Sequence, residues 1–248
     1  TEIKKRDVKS YLLESRFNNN SRYLRGIQRI FYIKKLKMFD KIFTVDEKSK
    51  KELDRVKINN AIVSGSLKIE RVKDYLNDNY INNIIKSFKG DELCIVCGST
   101  WKEDEKIIFK YIEESKKEKT KWIIAPHDIS KKNIERIQSI LISNYSIYSD
   151  ISNNNVHGNI LILNTIGDLK SVYRYSDISY IGGGMGSSGL HNILEACIYN
   201  KPVIIGKNYS GFIEAEQLVE SGGIASVKDY NEFKLEIEKL LYDKKNIM

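Results

Sequence analysis

The sequence predicts an α/β fold built on a parallel, doubly wound sheet, and three observations predict it. Short apolar runs such as LCIVCG (93–98), NILILN (159–164) and VIIG (203–206) alternate with longer segments of helical period. The runs are apolar throughout, as strands covered by helices on both faces are. Each closes on polar or glycine-bearing residues, where an open α/β sheet presents its ligand.

Taken in order, residues 8–17 (VKSYLLESRF) read as a strand or strand end. Residues 22–39 then carry Leu24, Ile27, Ile30, Phe31, Ile33, Leu36 and Phe39 near a 3.6 period, with Arg22, Arg25, Arg29, Lys34, Lys35 and Lys37 between them. This is a basic amphipathic helix. Either its apolar face meets a core and its cations are solvated, or the basic face lies near anionic lipid headgroups. A strand (40–45), a helix (47–56) and a strand (60–65) follow. From Leu67 a helix runs to about Phe88 and stops at Lys89-Gly90.

The longer part of the chain repeats the strand–helix unit: strands 93–98, 122–126, 159–164, 178–182, 203–206 and 224–227, with helices 102–117, 130–142, 167–175, 191–199, 211–221 and 229–242. Residues 143–158 are polar and read as a loop with room for one short strand. The organising stretch is DISYIGGGMGSSGLHNILEACIYNKPVIIG (177–206), a strand, glycine loop, helix and strand. Its glycines let the backbone approach a ligand closely, and the helix after them would turn free N–H groups toward an anion. The competing reading is an ordinary tight βα turn. Three further strand ends point into the same space: Gly98-Ser99-Thr100-Trp101, Pro126-His127-Asp128 and Thr165-Ile166-Gly167-Asp168.

Composition narrows the classes. With 41% hydrophobic residues and only two prolines, the chain can form a core and holds no linker-like stretch. A formal charge of +8 fits an anionic partner, or the Lys-rich usage that pervades the chain. Three uneven cysteines argue against a disulfide framework. Cys94 and Cys97 share a buried strand, where positions i and i+3 point to opposite faces and cannot grip one metal. No apolar run reaches the ~20 residues that span a bilayer, and no signal peptide opens the sequence.

CGSTWKEDE, IIAPHDI, TIGDL, YIGGGMGSSGLHNILEA, KPVIIGKNY and ESGGIASV, in this order, resemble the donor half of the 3-deoxy-D-manno-octulosonic acid (Kdo) transferases, especially the variants of Bacteroidetes-type bacteria. FDKIFTVDEKSKKEL and VSGSLKIERV extend the resemblance over nearly the whole chain. It implies two Rossmann-like lobes of the GT-B type with the first lobe incomplete: residues 1–65 as the end of an acceptor-side lobe, and residues 66–248 as the nucleotide-sugar lobe. It also implies inverting transfer of Kdo from CMP-Kdo to the lipid A precursor in lipopolysaccharide biosynthesis, with no cofactor and no metal. The setting would be the cytoplasmic face of the bacterial inner membrane, in peripheral contact with its surface.

Residue by residue, the resemblance assigns donor binding to Pro126 and His127, to Ile166, Gly167 and Asp168, and to Gly184, His191, Asn192, Ile193, Leu194 and Glu195, with Glu195 on the ribose. Ser99, Thr100, Lys207 and Arg16 are further candidates; Arg16 faces an anion or is an exposed strand-end cation. His127 stands where the family carries Arg, and Asp168 where it carries Glu. An imidazole is only partly charged near neutrality, so Lys207 or the helix terminus would share the neutralisation of a phosphate. The family's general base is a Glu early in the first lobe; no residue here matches it, and it is expected upstream of Thr1. A nucleotide-sugar epimerase or another sugar transferase of the same two-lobed fold is the alternative. A nucleic-acid-binding module is disfavoured, because the aromatics sit in apolar runs and not on a basic strand platform.

Overall fold

The computed structural model describes residues 6–18, 21–77, 81–115, 120–152 and 156–242. It divides into two compact units, Thr1–Arg71 and Val72–Met248.

The smaller unit is a three-stranded parallel sheet in the order β1 (Tyr11–Ser15), β2 (Lys41–Thr44), β3 (Ala61–Val63). Helices α1 (Arg29–Leu36) and α2 (Glu47–Arg55) connect the strands. Asp46 starts α2 by accepting the Ser49 N–H at 2.6 Å, an N-cap that removes one orphan donor. Ile42, Leu53, Ile58 and Ala61 form the core with Phe17, Leu24 and Leu36.

The predicted helix over 22–39 is shorter than its periodicity. Residues 22–28 form turns around Gly26, whose φ of +75° lies in the left-handed region that a continuing helix cannot use. Leu24 turns into the core, while Ile27, Ile30 and Phe31 stay 98%, 73% and 59% exposed. The apolar face is thus divided: Leu24, Ile33, Leu36 and Phe39 meet this unit's core, and Ile27, Ile30 and Phe31 do not.

The larger unit is a seven-stranded sheet, all parallel, built from β4 (Leu93–Thr100), β5 (Thr120–Pro126), β6 (Tyr145–Ile147), β7 (Ile160–Ile162), β8 (Ile178–Ile181), β9 (Val203–Gly206) and β10 (Ala225–Val227). Across the sheet the order is β10-β9-β8-β4-β5-β7-β6. Its helices are α3 (Leu67–Lys73, begun in the smaller unit), α4 (Asn83–Lys89), α5 (Lys102–Glu114), α6 (Lys131–Ile140), α7 (Leu169–Val172), α8 (Leu194–Cys197), α9 (Ile213–Glu220) and α10 (Tyr230–Tyr242).

Alternate residues of each strand serve two separate cores. Ile95, Cys97, Trp122, Ile124, Ile178 and Tyr180 pack against α5, α6 and α10, with Tyr111, Trp122, Tyr180 and Phe233 in edge-to-face and tilted ring contacts. Cys94, Val96, Ile123, Ala125, Ile181 and Ile205 face α4 and the segment around Val172, Ile193 and Ala215. Cys94 and Cys97 therefore lie in opposite cores, as their spacing in a strand requires. Burial pushes the Cys94 thiol up to about 12 and that of Cys97 well above its usual value.

Two expected helices differ in extent. The segment 67–88 is not one helix: α3 gives way to a 3-10 turn (Asp74–Leu76), and Asn82 restarts the chain by capping α4, its Oδ1 accepting the Ile85 N–H at 3.1 Å. Residues 78–80 lie outside the described residues, as do 116–117 of the helix expected over 102–117. The helix expected over 191–199 spans only Leu194–Cys197. β6 supplies the short strand within 143–158, of which residues 153–155 are not described.

Candidate functional site

The strand order reverses at β4. The chain runs from β4 to β5, β6 and β7 on one side, then returns to place β8 against the other side of β4. Such a switch point opens a crevice at the carboxyl ends of the flanking strands. Three loops meet there: the β4–α5 link, the β5–α6 loop and the glycine loop after β8.

The β4 end is irregular. Gly98 pairs with Ala125 and Thr100 with Pro126, so Ser99 is an extra residue, held at φ +53°. Thr100 is buried, and its Oγ1 donates to Glu105 at 3.2 Å, so its side chain serves packing and not a ligand. Pro126 is the buried last residue of β5. His127 emerges exposed beyond it, its N–H tied to the Thr100 carbonyl at 2.9 Å.

The glycine loop is held from below by a residue that sequence reasoning did not single out. Asp104, fully buried in the first turn of α5, accepts the Gly183 N–H at 2.8 Å, the Met185 N–H at 3.3 Å, the Tyr180 hydroxyl at 2.8 Å and the Trp101 N–H at 2.9 Å. Acids favour the first turn of a helix, where the dipole is positive. That local signal was present in WKEDE; its target, 79 residues away, was not. Gly184 lies against the end of β9, where a Cβ on Gly206 would sit 2.2 Å from the Gly184 carbonyl carbon. Gly183 takes φ +89° to make the turn.

Three rings close the crevice. The Trp101 and His127 rings stack with centroids 4.5 Å apart and 21° between planes. His127 and His191 are also 4.5 Å apart, tilted by 34°. Trp101 Nε1–H donates to His191 Nε2 at 3.2 Å. His191 is half-buried, and its pKa is lowered by burial first and by His127 second, against a smaller opposing pull from Asp104. Two histidines from distant segments thus share one surface through a tryptophan that the sequence placed only in a strand-end motif.

The remaining candidates are less closely gathered. Asn192 Nδ2 donates to Glu195 Oε1 at 3.1 Å, and Asn192 Oδ1 accepts the Leu194 N–H at 3.2 Å, so this pair first organises its own turn. Ile193 is buried in the core and Leu194 packs against it, so their side chains are structural. Burial, with the charge of Glu195 second, pushes the Tyr173 hydroxyl well up; Tyr173 abuts Gly98, which brings Glu195 near the β4 end. With four residues, α8 is too short for the helix-terminus anion site expected of it. Ile166 is exposed, Gly167 takes φ +92°, and Asp168 precedes α7 without capping it. Leu169 of α7 packs over Gly98. Lys207 is exposed just after β9, and half-buried Arg16 follows β1 in the smaller unit.

No family model matches the chain. A bifunctional glycosyltransferase/methyltransferase of Fusobacterium nucleatum is 30% identical over 161 residues, 62% of this chain and 24% of that protein. A 3-deoxy-D-manno-octulosonic acid transferase of Rickettsia felis is 25% identical over 211 residues, 83% of this chain and 44% of the relative. The chain thus spans less than half the length of these curated relatives. Among solved structures, the C-terminal CMP-Kdo-binding domain of WaaA from Acinetobacter baumannii matches 70% of this chain and 86% of its own, with a TM-score of 0.53 and 16% identity. A UDP-GlcNAc 2-epimerase from Neisseria meningitidis matches 99% of this chain and 64% of its own, with a TM-score of 0.65 and 16% identity. By sequence the chain is similar to the 3-deoxy-D-manno-octulosonic acid transferases over most of its length, and by fold it matches two-lobed glycosyltransferases and epimerases.

Proposed function

We propose that the chain forms the nucleotide-sugar part of a Kdo transferase, binding CMP-Kdo at the carboxyl ends of β4, β5 and β8 and serving an inverting transfer to a lipid A precursor. The observation that carries this reading is the convergence of the glycine loop, His127, His191 and Trp101 at the switch point of a parallel sheet. Similarity to Kdo transferases over 83% of the chain supports the choice of donor.

In this reading His127 and Lys207 face the donor's anionic groups, and Glu195 accepts from the ribose through the oxygen that Asn192 leaves available. Charge developing on the departing CMP phosphate is stabilised by those cations and by loop amides other than those of Gly183 and Met185, which Asp104 occupies. Deprotonation of the acceptor hydroxyl is left to a carboxylate of the acceptor-side lobe.

We place the enzyme in peripheral contact with the cytoplasmic face of the inner membrane. Exposed Ile27, Ile30 and Phe31 beside Arg25, Arg29, Lys34 and Lys35 support that part of the reading, since apolar anchors amid cations suit an anionic bilayer surface. Among the described residues no helix is long and apolar enough to cross a membrane.

The test is transfer of Kdo from CMP-Kdo to a tetraacyl lipid A precursor by the full-length gene product. Loss of transfer in Glu195→Ala is expected. Undiminished activity in that variant would sink the site assignment, and turnover of a UDP-sugar with no response to CMP would replace the whole reading by that of an epimerase.

A further inference from the structure

We propose that Trp101 is a positioning residue that holds His191 as the neutral tautomer protonated on Nδ1, so that of the two facing imidazoles His127 alone takes up the proton presented to an anion. The inference rests on the reading of this crevice as a donor site, and it adds a division of labour between two histidines.

The indole nitrogen of Trp101 is only a donor. Its contact with His191 Nε2 at 3.2 Å requires that nitrogen to be the unprotonated acceptor. A neutral His191 then carries its proton on Nδ1, the opposite of the form most free imidazoles prefer. Charging His191 would need a proton on Nε2, where the Trp101 hydrogen already lies. The same indole treats His127 differently: it offers that ring its face, at 4.5 Å and 21°. One side chain thereby occupies the proton site of one histidine with its edge and meets the other with its face.

The surroundings agree with that partition. The two imidazole centroids are 4.5 Å apart, too close for both to be charged without strong repulsion. Asp104, below the glycine loop, is the carboxylate whose field reaches His191, and its two oxygens are already engaged by four donors. On the other side the exposed Asp128 lies within electrostatic reach of His127 and Arg136. The glycine loop between Gly182 and Leu190 holds no titratable side chain. An exposed histidine poised in this way can supply a charge on demand, where a permanently charged side chain would supply it always.

The experiment is a pH titration of the imidazole nitrogens by 15N–1H correlation on the full chain. It holds only three histidines, so His127→Gln and His157→Gln assign the signals directly. The expected spectrum shows His191 with a pyridine-type Nε2 and a protonated Nδ1, titrating below His127. Trp101→Phe keeps a ring face and removes the N–H; His191 should then revert to the Nε2–H form and its midpoint should rise by about one pH unit, a tenfold change in the protonation equilibrium. An Nε2–H His191 in the unsubstituted protein, or a His191 unchanged by Trp101→Phe, overturns the proposal; the first result decides even where the variant does not fold. Adding CMP separates the two layers of the argument. A His127 signal driven to its protonated form supports both, whereas absence of any CMP response with the stated tautomer in place overturns the donor reading and leaves the partition standing.

Discussion

Asp104→Asn tests how the glycine loop is held, because the substitution keeps volume and removes one acceptor and the charge. In the protein each carboxylate oxygen serves two donors: Oδ2 takes the N–H groups of Trp101 and Gly183, and Oδ1 takes the Tyr180 hydroxyl and the Met185 N–H. An amide offers one oxygen and one NH2. The less costly orientation leaves the oxygen toward Trp101 and Gly183 and turns the NH2 toward Tyr180, whose hydroxyl can rotate to accept. The Met185 N–H then loses its partner at about 1–3 kcal/mol, and the two bonds to the remaining oxygen each weaken by about 1 kcal/mol as their charge assistance goes. The total is about 3–5 kcal/mol, a large part of the ~5–15 kcal/mol that holds a typical domain. No cavity contribution enters, since the side chains are isosteric. Urea unfolding measures the loss, and amide exchange at Gly183 and Met185 locates it. A change below about 0.5 kcal/mol with unaltered exchange at both amides would refute the reasoning.

Two other outcomes follow from buried polar groups. Arg136→Met strips the partner from Glu105, a carboxylate whose pKa is raised, burial outweighing the Arg136 and Thr100 contacts that favour its charge; with Arg136 partly exposed, the expected cost at neutral pH is about 2–4 kcal/mol. A raised pKa means that the folded protein binds the extra proton, so Glu105's contribution is most favourable below the unfolded value and is lost as pH rises through the folded one. The deficit of the variant should therefore shrink on acidification through that window, and a pH-independent deficit in thermal melts would contradict the account. The native thiols should be inert to a disulfide reagent at mild alkaline pH, since burial pushes Cys94 up to about 12 and Cys197 up to about 11 and holds Cys97 well above its usual value; rapid modification of Cys94 or Cys97 in the folded protein would show that their strand is not covered as described.

The sheet of the larger unit was legible because its strands are buried on both faces, and a run such as VIIG or LCIVC has no other comfortable place in a folded α/β unit. The strand ends named the crevice for the same reason, since topology alone sends them to one edge. Helix extents were less legible. The 3.6 period continues through Gly26 and through Asn77, but a left-handed glycine and an asparagine cap stop the chain locally, and periodicity does not register either. The site was read in outline only. His127 and His191 could be named from the motifs, yet their approach to each other and the grip of Asp104 on the glycine loop join residues 64 and 79 or more positions apart, which no window of sequence displays.

The extra residue at Ser99 has a topological consequence. Along β4 the side chains alternate between the two cores, with Cys97 toward α5 and Gly98 toward Tyr173. Without the bulge Thr100 would share the side of Gly98. With it, Thr100 comes back to the side of α5 and bonds Glu105, and the chain enters that helix after Trp101 alone. One extra residue thus selects the layer that α5 joins: were Ser99 paired as a regular strand residue, the chain would leave on the other side of the sheet, parting the tryptophan from both histidines.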